Sequence, residues 1–477
     1  MNTHFPNVNM RLTKIICTLG PASNSTENIF ALHKAGMDIA RINFSHGDAS
    51  THLATIRAVK EVNKSKGCTI ALMLDTKGAE IRTGEVTTPI EIVKGQEVVF
   101  SPTPLPKETR PVILVNYDKL AVDVLKAESI LLDNGVMSFE VVSTGKDGTV
   151  VARSHDTGHI GSRRHINLPG ADISLPSMMK KDWSDLELGI EEEMDYVALS
   201  FIRTADEMRE VSAFLKKNNS TMRTIAKIET RQAVANIDSI IDASDGIMVA
   251  RGDLGAEMPF EKIPAIQDMI VEKSRQAGKP VIVATQMLES MIENPMPTRA
   301  EVTDVAHAAV TRADTTMLSA ESAVGKHPIE SVSAMARILE ETESHQSSES
   351  HHDIFCALGE RSALADAAVS MALSVKSPAI IVLTRTGKTA QAVSHFRSNL
   401  PIIAMTESPA VERALQMFHG VRTLHVDFDM DPETTIERAL EALKKLPFLK
   451  SGQKVVVISD TKSRTGSVHT VHIRMIP

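Results

Sequence analysis

The chain has 477 residues, 42% of them hydrophobic and 23% charged, with a formal net charge of −8. Two or three domains are expected, because one core rarely serves so long a chain. The acidic balance offers no footprint for nucleic acid, and no apolar run approaches the ~20 residues that cross a bilayer. Cys17, Cys68 and Cys356 show no CxxC spacing, so neither a disulfide framework nor a zinc site is expected, and a reducing compartment is. With no apolar leader at the start, the expectation is a cytoplasmic protein that binds neither membrane nor nucleic acid. Aromatics make up only 3% against 23 methionines, so aliphatic and thioether side chains must fill the cores.

In chain order, Lys14 to Thr18 reads as a short strand, broken by Leu19-Gly20-Pro21-Ala22-Ser23. Thr26 to Lys34 has helical spacing, with Gly36 placed to cap it. Ile39 to Ser45 is a second strand, followed by a helix through Lys60, and Thr69 to Leu74 a third, ending at Asp75-Thr76. Strand, loop and helix in this alternation predict a parallel sheet. From Gly84 to Arg163 the rhythm changes to short alternating runs at 90–93, 97–100, 129–132, 138–142 and 149–152. Asp133-Asn134-Gly135 and Lys146-Asp147-Gly148 turns separate some of them, which predicts a small all-β insertion of the barrel or sandwich kind. The first rhythm then resumes with strands at 196–200, 224–227, 246–249, 280–284 and 315–318. Three strands before the insertion and five after it make the count of a (β/α)8 barrel. The predicted division is a barrel over 1–75 and 166–345, an insertion over 76–165, and a C-terminal α/β domain over 346–477. That last domain begins at a polar connector, 346–352, and its clearest strands are 379–383, 402–405 and 455–458.

Barrel chemistry gathers where the strands end. Those ends carry Arg41, Asn43 and Ser45 on the second strand and Asp75, Thr76 and Arg82 at or after the third. The fifth supplies Lys227 and Glu229, the sixth Arg251 and Asp253, the seventh Thr285, and the eighth Ser319 and Glu321. Side chains two apart share a strand face, so Lys227 and Glu229 should enter the mouth together, as should Arg41, Asn43 and Ser45. Glu229 and Asp253 are hard oxygen donors of the kind that hold Mg²⁺ while leaving positions for substrate oxygens. Arg41, Arg82 and Lys227 are phosphate partners, Arg as a fork and Lys as a point charge. Gly252 lets backbone approach a ligand closely. Phosphoryl transfer needs little more than such positioning and neutralisation. A rim laced with structural ion pairs would account for any two of these residues, but hardly for all.

At these residues the chain resembles pyruvate kinase over nearly its whole length. The resemblance is carried by Thr18-Leu-Gly-Pro-Ala-Ser23, Arg41-Ile-Asn-Phe-Ser-His-Gly47, Leu74-Asp-Thr-Lys-Gly78, Glu80-Ile-Arg-Thr-Gly84 and Asn167-Leu-Pro-Gly170. Lys227-Ile-Glu229, Ala250-Arg-Gly-Asp-Leu-Gly255, Ala284-Thr-Gln-Met-Leu-Glu-Ser-Met291, Pro297-Thr-Arg-Ala-Glu301 and Met317-Leu-Ser319 continue it. It implies phosphoryl transfer from phosphoenolpyruvate to ADP, giving pyruvate and ATP. By resemblance, Lys227, Arg41, Arg82 and Thr285 are catalytic, and Arg41, Lys227, Gly252, Asp253, Thr285 and Ser319 bind substrate. Glu229 and Asp253 would hold Mg²⁺ (or Mn²⁺), and Asn43, Ser45, Asp75 and Thr76 would hold K⁺. Asn43, His46 and Arg82 would meet the nucleotide, under a lid formed by the insertion. Glu80, close by in the chain, is expected to add negative charge to the K⁺ pocket. Relatives with Lys at its position work without K⁺, so Glu80 implies a K⁺ requirement. A homotetramer is also implied.

Ala79, Ala320, Asn134 and His165 depart from the usual pattern, His165 standing at the return from the lid where Gly is common. In the last domain, Leu383-Thr-Arg-Thr-Gly-Lys-Thr389 follows a strand and opens a helix predicted over 390–396, a setting in which backbone N–H groups bind anions. The first glycine of a Walker motif is missing, which speaks against a nucleotide site. An ordinary helix cap is one reading. The resemblance implies the other, an allosteric effector phosphate held by Thr384, Arg385, Thr386, Gly387, Lys388 and Thr389, with the 463–466 loop completing the site. The competing activity is another Mg²⁺-enolate barrel enzyme, an aldolase or a phosphoenolpyruvate mutase, which would leave the insertion and the cations Arg41, Arg82 and Lys227 without a task.

Overall fold

A computed structural model describes residues 11–133, 135–171, 173–346, 359–463 and 466–477. Asn134, Cys356, most of the 346–352 connector and the centre of the 463–466 loop lie outside them. Eight parallel strands close into a barrel: Lys14–Thr18, Ile39–Asn43, Ala71–Asp75, Tyr196–Leu199, Arg223–Ile228, Gly246–Ala250, Val281–Ala284 and Thr315–Leu318. The predicted count is found. The predicted second strand ran two residues too far, because the chain turns after Asn43 and leaves Ser45 in the loop.

Every barrel-strand residue except Asn43 and Arg223 is buried, as expected where helices cover one face and the lumen the other. Alternation sorts the two faces. Ile15, Cys17, Leu72, Leu74, Ile247, Val249 and Val283 pack outward with the helices. Ile16, Met73, Ala198, Ile225, Met248, Ile282 and Met317 fill the lumen, and their cluster continues into the C-terminal domain through Leu415, Met417 and Phe418. Methionine, flexible and unbranched, packs a lumen that contains few aromatics. The helix Thr26–Ala35 begins at Ser25, whose hydroxyl accepts from Asn28 N, and stops at Gly36 in a positive-φ conformation, as its spacing predicted.

The insertion forms a seven-stranded sheet in the spatial order 81–82, 165–167, 130–132, 137–144, 150–154, 97–101, 112–114, with a separate pair 90–92 and 158–160. Phe100 and Phe139 meet edge to face at its core, 5.3 Å between centroids. The short strands 81–82, 112–114, 158–160 and 165–167 escaped the sequence reading, whereas 90–92 and 130–132, equally short, were found. The C-terminal sheet runs 421–425, 402–406, 380–383, 454–463, 466–475, parallel except for its last hairpin. Its two outer strands were missed since they mix charged and polar residues with the apolar ones.

Buried charge joins this sheet to the barrel. Arg397 Nη2 lies 2.5 Å from Asp314 Oδ2, with side chains 2% and 0% exposed. Asp314 also accepts from Val281 N and His419 N, one on each side of the junction. Arg413 bonds Asp195, and Tyr196 Oη donates to Ala414 O at 2.7 Å. Removing one partner of a buried pair leaves the other charge uncompensated, at a cost of about 3–5 kcal/mol. Arg397→Met should therefore lower the urea midpoint by a corresponding amount; an unchanged midpoint would show that the Asp314 backbone bonds suffice alone.

Candidate active site

The lumen alternation carries upward past the last apolar layer. Thr18, Arg41, Asp75, Ser200 and Lys227 occupy the inward positions next above it, and there the side chains become polar. Asp75, 1% exposed, receives Arg41 Nε at 2.7 Å on one oxygen and Lys227 Nζ at 3.1 Å on the other. Lys227 Nζ also lies 2.9 Å from Glu229 Oε1 and donates to Ser200 Oγ at 2.6 Å. Arg41 Nη1 reaches Thr18 Oγ1 at 2.7 Å. Burial weakens the hold of Lys227 on its proton, yet Asp75 and Glu229 outweigh it and hold the ammonium charged. Asp75 stays ionised for the matching reason, since Arg41 and Lys227 overcome its burial. Thr18 and Ser200 were not singled out from sequence. Thr18 ends the first barrel strand and Ser200 follows the fourth, and the inward alternation was the signal that would have found them.

Glu229 and Asp253 are less comfortable. Burial, joined by the nearby Asp253 charge and opposed by Lys227, pushes Glu229 up to about 7. Burial likewise raises Asp253, with Lys227 opposing it and Glu80 and Asp75 adding to it. Glu229 is clamped by Lys227 and by Phe201 N at 2.6 Å, the latter on a residue with φ of 55°. Among the described residues no three His, Cys, Asp or Glu side chains converge as a ready-made metal cage. Two adjacent carboxylates that resist double ionisation suit a divalent cation that completes its shell with water and substrate oxygens. The site residues therefore fit Mg²⁺ or Mn²⁺.

Arg82 lies at the foot of the lid, where Glu80 takes its Nε at 2.6 Å and its Nη2 at 2.9 Å and Arg163 O takes Nη1. Glu80 is thus paired with Arg82, and its negative charge still reaches Asp253. Arg251 differs from its expected place at the rim. Its guanidinium is 9% exposed and turns away from the mouth to Asp304 at 2.7 Å and to the carbonyls of Ala284, Thr285 and Gln286. It acts as a strut that fixes Thr285 and Gln286 in left-handed backbone, with φ of 65° and 52°. Thr285 Oγ1 accepts from Gly252 N at 2.8 Å, which seats this loop against the start of the helix Arg251–Glu257. Ser319 and Leu288 donate their backbone N–H groups to Glu321, so that buried carboxylate ties the seventh and eighth strand loops.

Asn43 and Asp75 are paired across the second and third strands. Ser45 N donates to Asn43 Oδ1 at 3.0 Å, and Thr76 O accepts from Ser200 Oγ at 2.6 Å. Carboxylate, amide, hydroxyl and carbonyl oxygens are thereby gathered beside Lys227, a donor set that fits a weakly held monovalent cation. His46 is exposed at the outer edge of the same loop. The effector candidates Thr384, Arg385, Thr386, Gly387, Lys388 and Thr389 belong to a different place, between the strand Ile380–Leu383 and the helix Lys388–His395 of the C-terminal sheet. That helix starts two residues earlier than predicted, Gly387 N donates to Thr384 Oγ1, and Arg385 lies 4.9 Å over the Phe428 ring.

Metal binding requires both carboxylates deprotonated and so displaces any proton that Glu229 holds. Its raised value means the proton is held below about pH 7 and gone well above it. Calorimetric titration of Mg²⁺ in buffers of different ionisation enthalpy should show about one proton released near pH 6 and almost none near pH 8.5. Absence of proton release near pH 6 would contradict this reading of the pair.

The family profile described as "Pyruvate kinase, barrel domain" matches residues 10–332, and "Pyruvate kinase, alpha/beta domain" matches 362–474. The chain is 41% identical to pyruvate kinase isozyme G, chloroplastic, of Nicotiana tabacum over 475 residues, covering 98% of this chain and 84% of that one. It is 39% identical to the pyruvate kinase of Sporosarcina psychrophila, covering 98% and 81%. The crystal structure of a pyruvate kinase from Cryptosporidium parvum superposes with a TM-score of 0.92 at 36% identity, covering 98% of this chain and 96% of that one. No helix among the described residues is long and apolar enough to cross a membrane. With matched barrel, matched C-terminal domain and full-length relatives, the chain belongs to the pyruvate kinase family and is an enzyme that transfers phosphate.

Proposed function

We propose that the chain moves the phosphoryl group of phosphoenolpyruvate to ADP, giving pyruvate and ATP, with Mg²⁺ (or Mn²⁺) and K⁺ as cofactors. The observation that supports this most is Lys227, a buried ammonium fixed by Asp75, Glu229 and Ser200 beside the carboxylate pair. When bound, the divalent ion would be held by Glu229 and Asp253 and would neutralise substrate oxygens. Lys227 supplies a fixed positive charge to the phosphoryl group in transit, and Arg41 and Arg82 hold its oxygens. Gly252 and Asp253 orient the substrate, Thr285 directs the proton to the enolate carbon, and Ser319 lines the same mouth. Asn43, His46 and Arg82 meet ADP, and the lid over 76–165 excludes water so that hydrolysis does not compete. In this reading the catalytic barrel comprises 1–75 and 166–345 and the regulatory domain 346–477.

K⁺ belongs to the proposal through Asn43, Ser45, Asp75 and Thr76, whose oxygens lie beside the Lys227 cluster. Regulation by a phosphorylated metabolite at Thr384 to Thr389 belongs to it through the cationic loop at a helix start. A homotetramer belongs to the proposal through the chain's membership of the family. A reducing compartment, the cytoplasm, accords with free thiols at Cys17 and Cys68.

Lys227→Met keeps length and volume but removes the charge. Turnover should fall at least ~10²-fold, the scale on which loss of one preorganised electrostatic group acts. Near-normal kcat in a folded variant would sink the assignment. Potassium is tested separately: with tetramethylammonium holding ionic strength constant, activity should rise steeply on adding K⁺, and full activity without it would remove the monovalent site from the scheme.

A further inference from the structure

The two carboxylates of the proposed cation site are supported very unequally. Glu229 is held by Lys227 and by the backbone of Phe201. Asp253 is 32% exposed at its side chain, and among the described residues no hydrogen bond reaches its carboxylate. His165 Nδ1 lies 3.9 Å from Asp253 Oδ1. This histidine sits on the lid strand His165–Asn167, paired with the strand that carries Arg82, and Arg82 and His165 are register partners. Its ring rests at a tilt of 55° against Phe201, 5.7 Å between centroids, so it also abuts the residue whose N–H clamps Glu229.

A carboxylate that binds a metal ion through one oxygen normally receives a hydrogen bond that fixes its orientation, and loss of such a partner typically costs 10–100-fold in metal affinity. Asp253 lacks that support within the barrel. We propose that His165 is a positioning residue of the divalent-cation site, donating from Nδ1 to Asp253 and so tying the lid strand to the metal-binding carboxylate. The inference rests on Glu229 and Asp253 as the metal pair. Closing 3.9 Å to a hydrogen bond takes a shift of about 1 Å. A neutral ring with its proton on Nδ1 is the form that donates to a carboxylate without competing as a cation.

The test reads metal binding directly, by electron paramagnetic resonance of free Mn²⁺ titrated with protein and no substrate. His165→Phe retains a ring against Phe201 but has no donor, and His165→Asn retains a donor near the place of Nδ1 without the ring. The expected result is a 10–100-fold weaker Mn²⁺ affinity for the Phe variant and near-normal affinity for the Asn variant, with thermal unfolding of both unchanged. Equal affinity in wild type and His165→Phe would overturn the proposal, as would equal loss in both variants, which would assign the effect to ring packing. Asp253→Asn separates the two claims. If it leaves Mn²⁺ affinity intact, the metal pair itself is wrong; if it abolishes binding while His165→Phe does not weaken it, only the role of His165 falls.

Discussion

The structure turns on a lysine ammonium sealed into a barrel mouth. Lys227 is surrounded below by the apolar lumen, and Asp75 and Glu229, at 3.1 Å and 2.9 Å, hold it charged against its burial. Neither carboxylate is its neighbour by chance of sequence. Glu229 follows two residues along the same strand and loop, whereas Asp75 comes from a strand that precedes the whole lid in the chain. The strand Tyr196–Leu199 pairs with both strands and brings them together. Direct pairing of the second and third strands makes Asp75 a shared counter-ion, since Arg41 occupies its other oxygen. Each charge in this group is tolerated only while the others are in place.

Around that group carboxylates and carbonyls join the buried Leu254, Met287 and Leu288 in holding the loops. Glu321 gathers backbone N–H groups from two strand ends, and Arg251 gathers the carbonyls of the Ala284 to Gln286 turn. These side chains look catalytic by type and placement in the chain but serve to keep Thr285 and Ser319 where they are. The lid enters the same system through its first and last strands, which bring Arg82 and His165 to the mouth side by side. Beneath the barrel, Asp314 and Arg397 do for the C-terminal domain what Asp75 and Lys227 do for the site, joining two bodies by a charge pair that neither could bury alone.

Much of this was legible from the chain. The alternation of strand and helix, interrupted once and resumed, is a local property, so the count of barrel strands and the place of the insertion followed from it. Lys227 and Glu229 were legible as a pair because a two-residue period is local too. Of the strands of two or three residues only 90–92 and 130–132, which lie in apolar runs, were legible, and the helix beginning at Lys388 was placed two residues late.

Direction of side chains at loop positions was settled only in three dimensions. Arg251 and Glu80 both lie in charged motifs at strand ends. Their partners Asp304 and Arg82 decided that one braces a turn and the other pairs with the arginine at the foot of the lid. Ser200 and His165 acquired their settings the same way, through residues distant in the chain. The sequence by itself determined which residues alternate inward and which chemistry they can offer, because propensity and periodicity act over a few residues. Which charges meet, which are compensated, and which carboxylate is left without a donor depended on strands brought together from opposite ends of the fold, because Coulombic and hydrogen-bond partners are chosen by distance in space.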